Sequence, residues 1–401
     1  MHRRRFLTTL IGSLTGLFVA RRARPTAIRA ASPSPASAAP PTGATTPVGT
    51  PYPLVALPGK APLGQVYDRP PNYETPTLKL IGERNYPFTD TEYYYVRYRE
   101  AQPAVITPDA FRLQVDGDSV QKPLTLTLKD LQGFPRVEVG AVGECTGLGR
   151  GLLRPLVPGV PWTKGDMSCA LWAGASLKAI LDEAGIKPGA VQVAFRSGGT
   201  TIAFKKPQYW RVYPLETVLQ PDALLAYEMN KGEIPLFNGA PVRLVVPGSY
   251  APLWVKQLVE IEVRSTPQPM EWSGRPMSPA KVKTYSLITA PADGTQVPMN
   301  APLTLTGLAW DGGQGIAKVE LSLDDGKTWE GADVEKSYGT YVWRVWHHTV
   351  QPPQAGEFRI LSRATSVDGA TQPMDPDPAV LKNGGRQNNA IRTFAAVLTG
   401  M

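Results

Sequence analysis

Short apolar runs separated by turns mark the chain from about residue 76 to 275. Phe111 to Val115, Val191 to Phe195, Val242 to Val246 and Leu258 to Val263 carry the β-branched and aromatic residues of strands. Between them the spacing of apolar positions changes to a helical period over Ser176 to Ala184 and stops at Gly185, a residue that can take the left-handed conformation past a helix end. The mixture predicts an α+β domain. Beyond a polar, proline-containing stretch near residues 266 to 283 the pattern becomes strands only: Leu303 to Trp310, Ile316 to Leu323, Tyr341 to Val350 and Glu357 to Asp368. Turns such as Asp324-Asp325-Gly326 and Asp368-Gly369 bound them, and the spacing predicts an all-β immunoglobulin-like sandwich over residues 280 to 401.

A chain of 401 residues exceeds what one core normally serves, in keeping with two domains. The 38 glycines and 41 prolines favour turns and sheet over long helices. The net charge of +8 invites a nucleic-acid reading, but Arg3, Arg4, Arg5, Arg21, Arg22, Arg24 and Arg29 supply nearly all of it within a stretch that holds no acid. The remaining chain is close to neutral, so no global attraction to phosphate backbones is expected.

That N-terminal stretch opens Arg3-Arg4-Arg5-Phe6-Leu7 and continues without charge to Ala20. It is similar to a twin-arginine signal over residues 1 to 30, which implies export of a folded protein to the periplasm. The apolar run is about 15 residues, short of the roughly 20 that cross a bilayer, so no stable membrane insertion is expected once the signal is removed. Residues 31 to 75 read as a Pro/Ala-rich linker and lead-in, with Ala31 to about Leu57 a flexible tether.

Only two cysteines occur, in unrelated contexts, and His347 and His348 are the sole histidines outside the leader. A disulfide framework, a zinc ribbon, a multi-histidine metal site and haem attachment therefore have no support. Cys169, in Met167-Ser168-Cys169-Ala170-Leu171, reads as a core residue. Cys145 stands in Gly143-Glu144-Cys145-Thr146-Gly147-Leu148-Gly149-Arg150-Gly151. By itself it is either an inert buried thiol or a thiolate activated by Arg150 and able to bind a soft redox metal.

The loop resembles the C-x-G-x-x-R element of the sulfite oxidase family of molybdopterin oxidoreductases. Pro161-Trp162, the helix element Trp172-Ala173-Gly174-Ala175-Ser176-Leu177, Leu224-Leu225-Ala226-Tyr227-Glu228-Met229-Asn230, and Tyr94-Tyr95-Val96-Arg97-Tyr98-Arg99 resemble further elements in the same order. The likeness runs from about residue 76 to 398. It implies a catalytic domain over 76 to 275, followed by a dimerisation domain and a possible homodimer. It also implies a molybdenum-molybdopterin cofactor with Cys145 as the metal's protein ligand. Arg97, Arg150 and Tyr227 would be catalytic, and Arg243 and Lys256 would reach the pterin or its phosphate. Without the resemblance, Tyr227 reads as a core tyrosine and Arg243 and Lys256 as surface charges. Arg99 departs from the family pattern, which has histidine there, and Arg386 is a candidate substrate arginine whose register does not match cleanly. The implied reaction is oxidation of sulfite, a small oxyanion, with electrons passed to a c-type cytochrome. Two alternatives stand beside it: a same-family enzyme acting on another sulfur compound, S-oxide or oxyanion, and a non-catalytic binding module that kept the fold.

Overall fold

The computed structural model describes residues 49–199, 209–272, 275–277, 280–298, 301–351 and 356–399. The leader and the first part of the tether lie outside them. The described residues all belong to one compact unit spanning 35–401.

Among the described residues three sheets build the first half, and a two-stranded ribbon, Met270–Trp272 with Arg275–Met277, leads out of it. Arg136–Glu144 and Met167–Ser176 run antiparallel, and Leu224–Met229 pairs with the other edge of Met167–Ser176. Arg243–Val245 in turn pairs with Leu224–Met229. Gly174 permits the pairing of Met167–Ser176 with Leu224–Met229, because a Cβ there would stand 2.0 Å from the Leu225 carbonyl oxygen. A five-stranded sheet follows the order Trp210–Pro214, Gln192–Ser197, Leu258–Arg264, Leu113–Asp116, Leu124–Leu126, with a parallel step between Leu258–Arg264 and Leu113–Asp116. The third sheet joins Leu54–Val55, Leu63–Tyr67, Asn72–Glu74 and Val96–Arg97. The helix Leu177–Ala184 starts where expected, with the Ser176 hydroxyl accepting from Ala179 N at 3.3 Å, and stops at Gly185 with φ +69°. Trp172 and Gly174, read with the helix in the family resemblance, lie instead on the strand before it.

The second half consists of two sheets. Tyr285–Ala290, Leu303–Trp310, Arg344–Val350 and Asp333–Val334 form one. Thr295–Pro298, Thr393–Thr399, Gly356–Ser366, Ile316–Ser322 and Glu330–Gly331 form the other. Leu305 and Trp346 from the first meet Leu321, Ile360 and Phe394 from the second in one core. The strand expected from Tyr341 begins at Arg344, because the Tyr341 carbonyl accepts from Val142 N (2.9 Å) on the first half.

A separate apolar cluster bridges the halves, placing Val142, Met167, Cys169 and Tyr250 against Tyr285, Leu308, Trp310 and Trp343. Polar contacts cross the same boundary: Trp310 Nε1 donates to Glu144 Oε2 at 2.7 Å and Trp343 Nε1 to the Pro87 carbonyl at 2.8 Å. Cys169 is fully buried in this cluster, as its sequence context indicated.

The tether expected to reach Leu57 is a misreading of residues 49 to 57. Thr50 is fully buried, and its hydroxyl donates to Glu74 Oε1 at 2.6 Å. The Tyr52 hydroxyl donates to the Pro161 carbonyl at 2.5 Å, and Leu54–Val55 pairs with Leu63–Tyr67. Composition misled because the Pro/Ala-rich run from Ala31 was extended over Tyr52-Pro53-Leu54-Val55-Ala56-Leu57, whose Tyr52 is buried and whose Val55 and Leu57 pack against Leu63, Tyr73, Val96 and Tyr98.

Candidate active site

The strand Arg136–Glu144 delivers Cys145 into the interior. Cys145 N donates to the Asp166 carbonyl at 3.0 Å, after which Leu148 N closes on Cys145 O (3.1 Å) and Arg150 N on Gly147 O (2.9 Å). These tight turns bring the Arg150 guanidinium back over the loop. A Cβ on Gly147 would stand 2.6 Å from Arg150 Nη1, so the glycine makes room for the arginine. Arg150 is then fixed by Nε donating to Gly384 O (2.8 Å) and Nη1 to Val160 O (3.1 Å).

A cavity of about 340 Å³ opens over Cys145, and Arg97, Arg99, Arg150 and Arg386 all line it. Arg97 ends the strand Val96–Arg97, and Arg99 follows in the bend after it, so that both reach the cavity together with Tyr98. Arg386 arrives from the second half, confirming that both halves wall the cavity. Among the described residues no carboxylate belongs to this lining. The guanidinium groups feel one another: Arg99 is pulled below its usual pKa by burial and by Arg97, and Arg150 by burial, despite the nearby Cys145 and Asp166.

Arg150 was read as a cation that lowers the thiol's pKa. The structure shows the opposite balance, with burial pushing the Cys145 thiol up to about 11 and Asp166 adding to the rise, against the pull of Arg97 and Arg150. In the protein alone Cys145 is therefore a thiol, and a metal that binds it must displace the proton.

A crevice of about 30 Å³, room for little more than a water molecule, adjoins the cavity and shares Arg97 and Tyr98 with it. Arg243 and Lys256 line it, so they are not the surface charges of the plainer reading. Arg243 is 2% exposed, stacks on Trp172 with 4.7 Å from its guanidinium carbon to the ring centre, and donates Nη1 to Asn238 O at 2.7 Å. Lys256 Nζ donates to Phe237 O (2.8 Å) and Arg97 O (3.2 Å) and lies 4.1 Å from the Tyr98 ring centre. Burial and the neighbouring Arg243 and Arg97 hold its pKa well below the usual lysine value.

Tyr227 lines neither space, contrary to the role carried over from the resemblance. It sits where the pairing of Leu224–Met229 with Met167–Ser176 slips between Ala226 and Glu228. The irregularity leaves its ring half-buried beside the exposed Arg136–Glu228 ion pair. Tyr95 and Tyr98 line the crevice instead, and Tyr95 is the tyrosine close enough to Cys145 for their charges to couple. Both belong to the run from which only the arginines were read. Asp166, fully buried next to Cys145 with both carboxylate oxygens lacking a hydrogen-bond partner, carried no signal in the sequence.

Whether this donor set suits a molybdenum cofactor can be judged from the residues. Among the described residues no group of three or more His, Cys, Asp or Glu side chains could hold a metal. A metal at Cys145 must bring its other ligands, as a dithiolene does. The buried Tyr94 hydroxyl and Arg243 Nε both lack protein partners beside the crevice, leaving donors for an external anionic group. The residues fit, although a group reaching Arg243 would have to part the crevice walls.

Residues 100–272 match the family described as oxidoreductase molybdopterin binding domain, and residues 278–391 the Mo-co oxidoreductase dimerisation domain. Sulfite oxidase of Gallus gallus is 32% identical over 357 residues, covering 80% of this chain and 75% of that protein. The chain belongs to the sulfite oxidase family. It is accordingly an oxidoreductase whose cofactor is molybdenum-molybdopterin, with a molybdopterin-binding domain followed by a dimerisation domain. This excludes the binding-module alternative. Mitochondrial sulfite oxidase of Rattus norvegicus is 31% identical over 76% of this chain but only 60% of its own length, so this chain spans part of some family members. The solved structure of the sulfane dehydrogenase SoxCD from Paracoccus pantotrophus superposes with a TM-score of 0.67 at 26% identity, covering 81% of this chain and 84% of that one.

Proposed function

We propose that this family member oxidises sulfite to sulfate and passes the electrons to a c-type cytochrome. The observation that supports it is the convergence of Arg97, Arg99, Arg150 and Arg386 on one cavity beside Cys145. Four permanent cations with no acid among them suit a small oxyanion, which each guanidinium can meet with charge-assisted hydrogen bonds. When bound, the molybdenum cofactor supplies the two-electron chemistry, with Cys145 as its protein ligand. Cys145 would hold its metal end, and Arg243 and Lys256 its anionic end. Arg97, Arg99, Arg150 and Arg386 would then orient the substrate, and the buried Trp162 indole would keep bulk water from that wall.

Arg99 does not titrate near neutral pH, so this wall keeps its charge where a histidine would lose it. That departure favours one second reading: oxidation of a different sulfur compound, such as the sulfane sulfur named for the SoxCD neighbour. The all-β half is read as an immunoglobulin-like sandwich that pairs two copies of the chain. The leader is read as directing export to the periplasm by the twin-arginine route. Among the described residues no helix is long and apolar enough to cross a membrane.

The test is metal content together with the electron paramagnetic resonance response to sulfite, on matured protein and on Cys145→Ser. A sulfite-dependent metal signal that disappears in the variant supports ligand and substrate alike. A molybdenum-replete sample silent with sulfite, yet responsive to a sulfane donor, would replace the first reading with the second.

A further inference from the structure

The region matched to the molybdopterin-binding family begins at residue 100, yet a buried cation from far upstream stands behind the crevice. Lys60 follows a turn closed by its own N–H on Leu57 O (2.9 Å) and is only 7% exposed. Its ammonium donates to Thr91 O at 2.6 Å and to Asn238 Oδ1 at 2.8 Å. Asn238, fully buried, uses its Nδ2 to hold Tyr95 O (3.2 Å), and its own carbonyl receives Arg243 Nη1 (2.7 Å). One side chain thus ties the lead-in segment to the two stretches that supply Tyr95 and Arg243 to the crevice.

The charge on Lys60 is harder to explain as a brace. Both of its partners are neutral oxygens, which a neutral amide could satisfy with less desolvation. Burial draws the ammonium down to about 7, with Glu92 opposing the fall, and Lys60 lies near enough to Lys256 to depress that lysine further. An anion in the crevice favours the charged forms of Lys60 and Lys256, so a third amine beside Arg243 and Lys256 makes the anion-filled crevice more stable relative to the crevice without one.

We infer that Lys60 is a positioning residue for the anionic end of the cofactor, orienting Asn238 so that it holds Arg243 and adding its charge to that of Arg243 and Lys256. The inference rests on the reading of Arg243 and Lys256 as cofactor-holding residues.

The experiment measures molybdenum and pterin per chain, and the melting temperature of cofactor-free protein, for the full chain matured with cofactor. The variants are Lys60→Gln, Lys60→Arg, Asn238→Ala and Arg243→Met. Arg243→Met and Lys60→Gln should each lower occupancy about 10-fold, the scale seen when a partner behind a ligand is removed. Lys60→Arg should restore it to within about twofold, while the cofactor-free melting temperature of Lys60→Gln stays close to that of the parent. Should Lys60→Gln not fold, Asn238→Ala carries the same expectation with the lysine in place. Full occupancy in Arg243→Met would overturn the reading of the crevice and the inference with it. Low occupancy in Arg243→Met alongside full occupancy in Lys60→Gln or, where that variant does not fold, in Asn238→Ala would overturn the inference alone, as would Lys60→Arg falling as far as Lys60→Gln.

Discussion

Replacing Arg150 by lysine separates charge from shape at the centre of the cavity. The guanidinium presents donors in two directions, Nε to Gly384 O at 2.8 Å and Nη1 to Val160 O at 3.1 Å, while its charge faces the space beside Cys145. An ammonium keeps the charge but is a point without the planar fork, so it cannot reproduce both bonds and still face the substrate. A buried hydrogen bond to a charged donor contributes about 1.5–3 kcal/mol. Losing one such contact in the transition state lowers kcat/KM by roughly 10- to 150-fold. The assay is steady-state sulfite oxidation with ferricyanide as acceptor, normalised to molybdenum per chain and accompanied by urea unfolding. The lysine variant should lose stability along with rate, since Gly384 O is left buried without its donor. A kcat/KM within threefold of the parent at equal metal content would refute the reasoning, because it would mean the fork neither holds the Gly384 loop nor touches the reacting anion.

Cys145→Ser should purify folded but with little molybdenum, read by metal analysis; a full complement would remove the thiol from the ligand set. Tyr227→Phe should leave kcat/KM within about twofold, whereas Tyr95→Phe should lower it, since only the latter ring lies by Cys145. Glu144 sets a pH dependence, because burial raises its pKa to about 8 from an ordinary carboxylate value near 4.5. The folded state then holds a proton that the unfolded chain has lost, so stability declines as pH rises from about 4.5 to 8 and levels off above. Glu144→Gln, which keeps an acceptor for Trp310, should flatten that decline and exceed the parent's stability at pH 8.5, measured by urea titration at pH 5 and 8.5. Tyr52→Phe should cost about 1 kcal/mol in the same titration, against no change if residues 49 to 57 were a loose tether.

Runs of β-branched and aromatic residues located strands such as Gln192–Ser197, Arg243–Val245 and Leu258–Arg264. Met167–Ser176 escaped because it holds no β-branched residue and is buried almost throughout, so neither composition nor a period of two marks it. At the site, Arg97 came from the family resemblance and Arg99 from a departure from its pattern, whereas Cys145 with Arg150 stood out in the glycine-rich loop. Tyr227 was carried over from a motif, but its placement depends on a slip in strand pairing that nothing in the motif records. Lys60 and Asp166 gain their meaning only from residues more than twenty positions away. No local pattern marks a lysine whose partner is Asn238.

The presence of Gly384 and Arg386 in the wall over Cys145 bears on the order in which the enzyme is made. These residues leave the ribosome more than two hundred positions after Cys145 and Arg97. Until the C-terminal strands have folded, Arg150 has no Gly384 carbonyl to grip and the cavity is open on one side. Loading therefore belongs after the second half has been made and folded, and a chain truncated before residue 384 should be unable to retain its cofactor even where its catalytic half is intact.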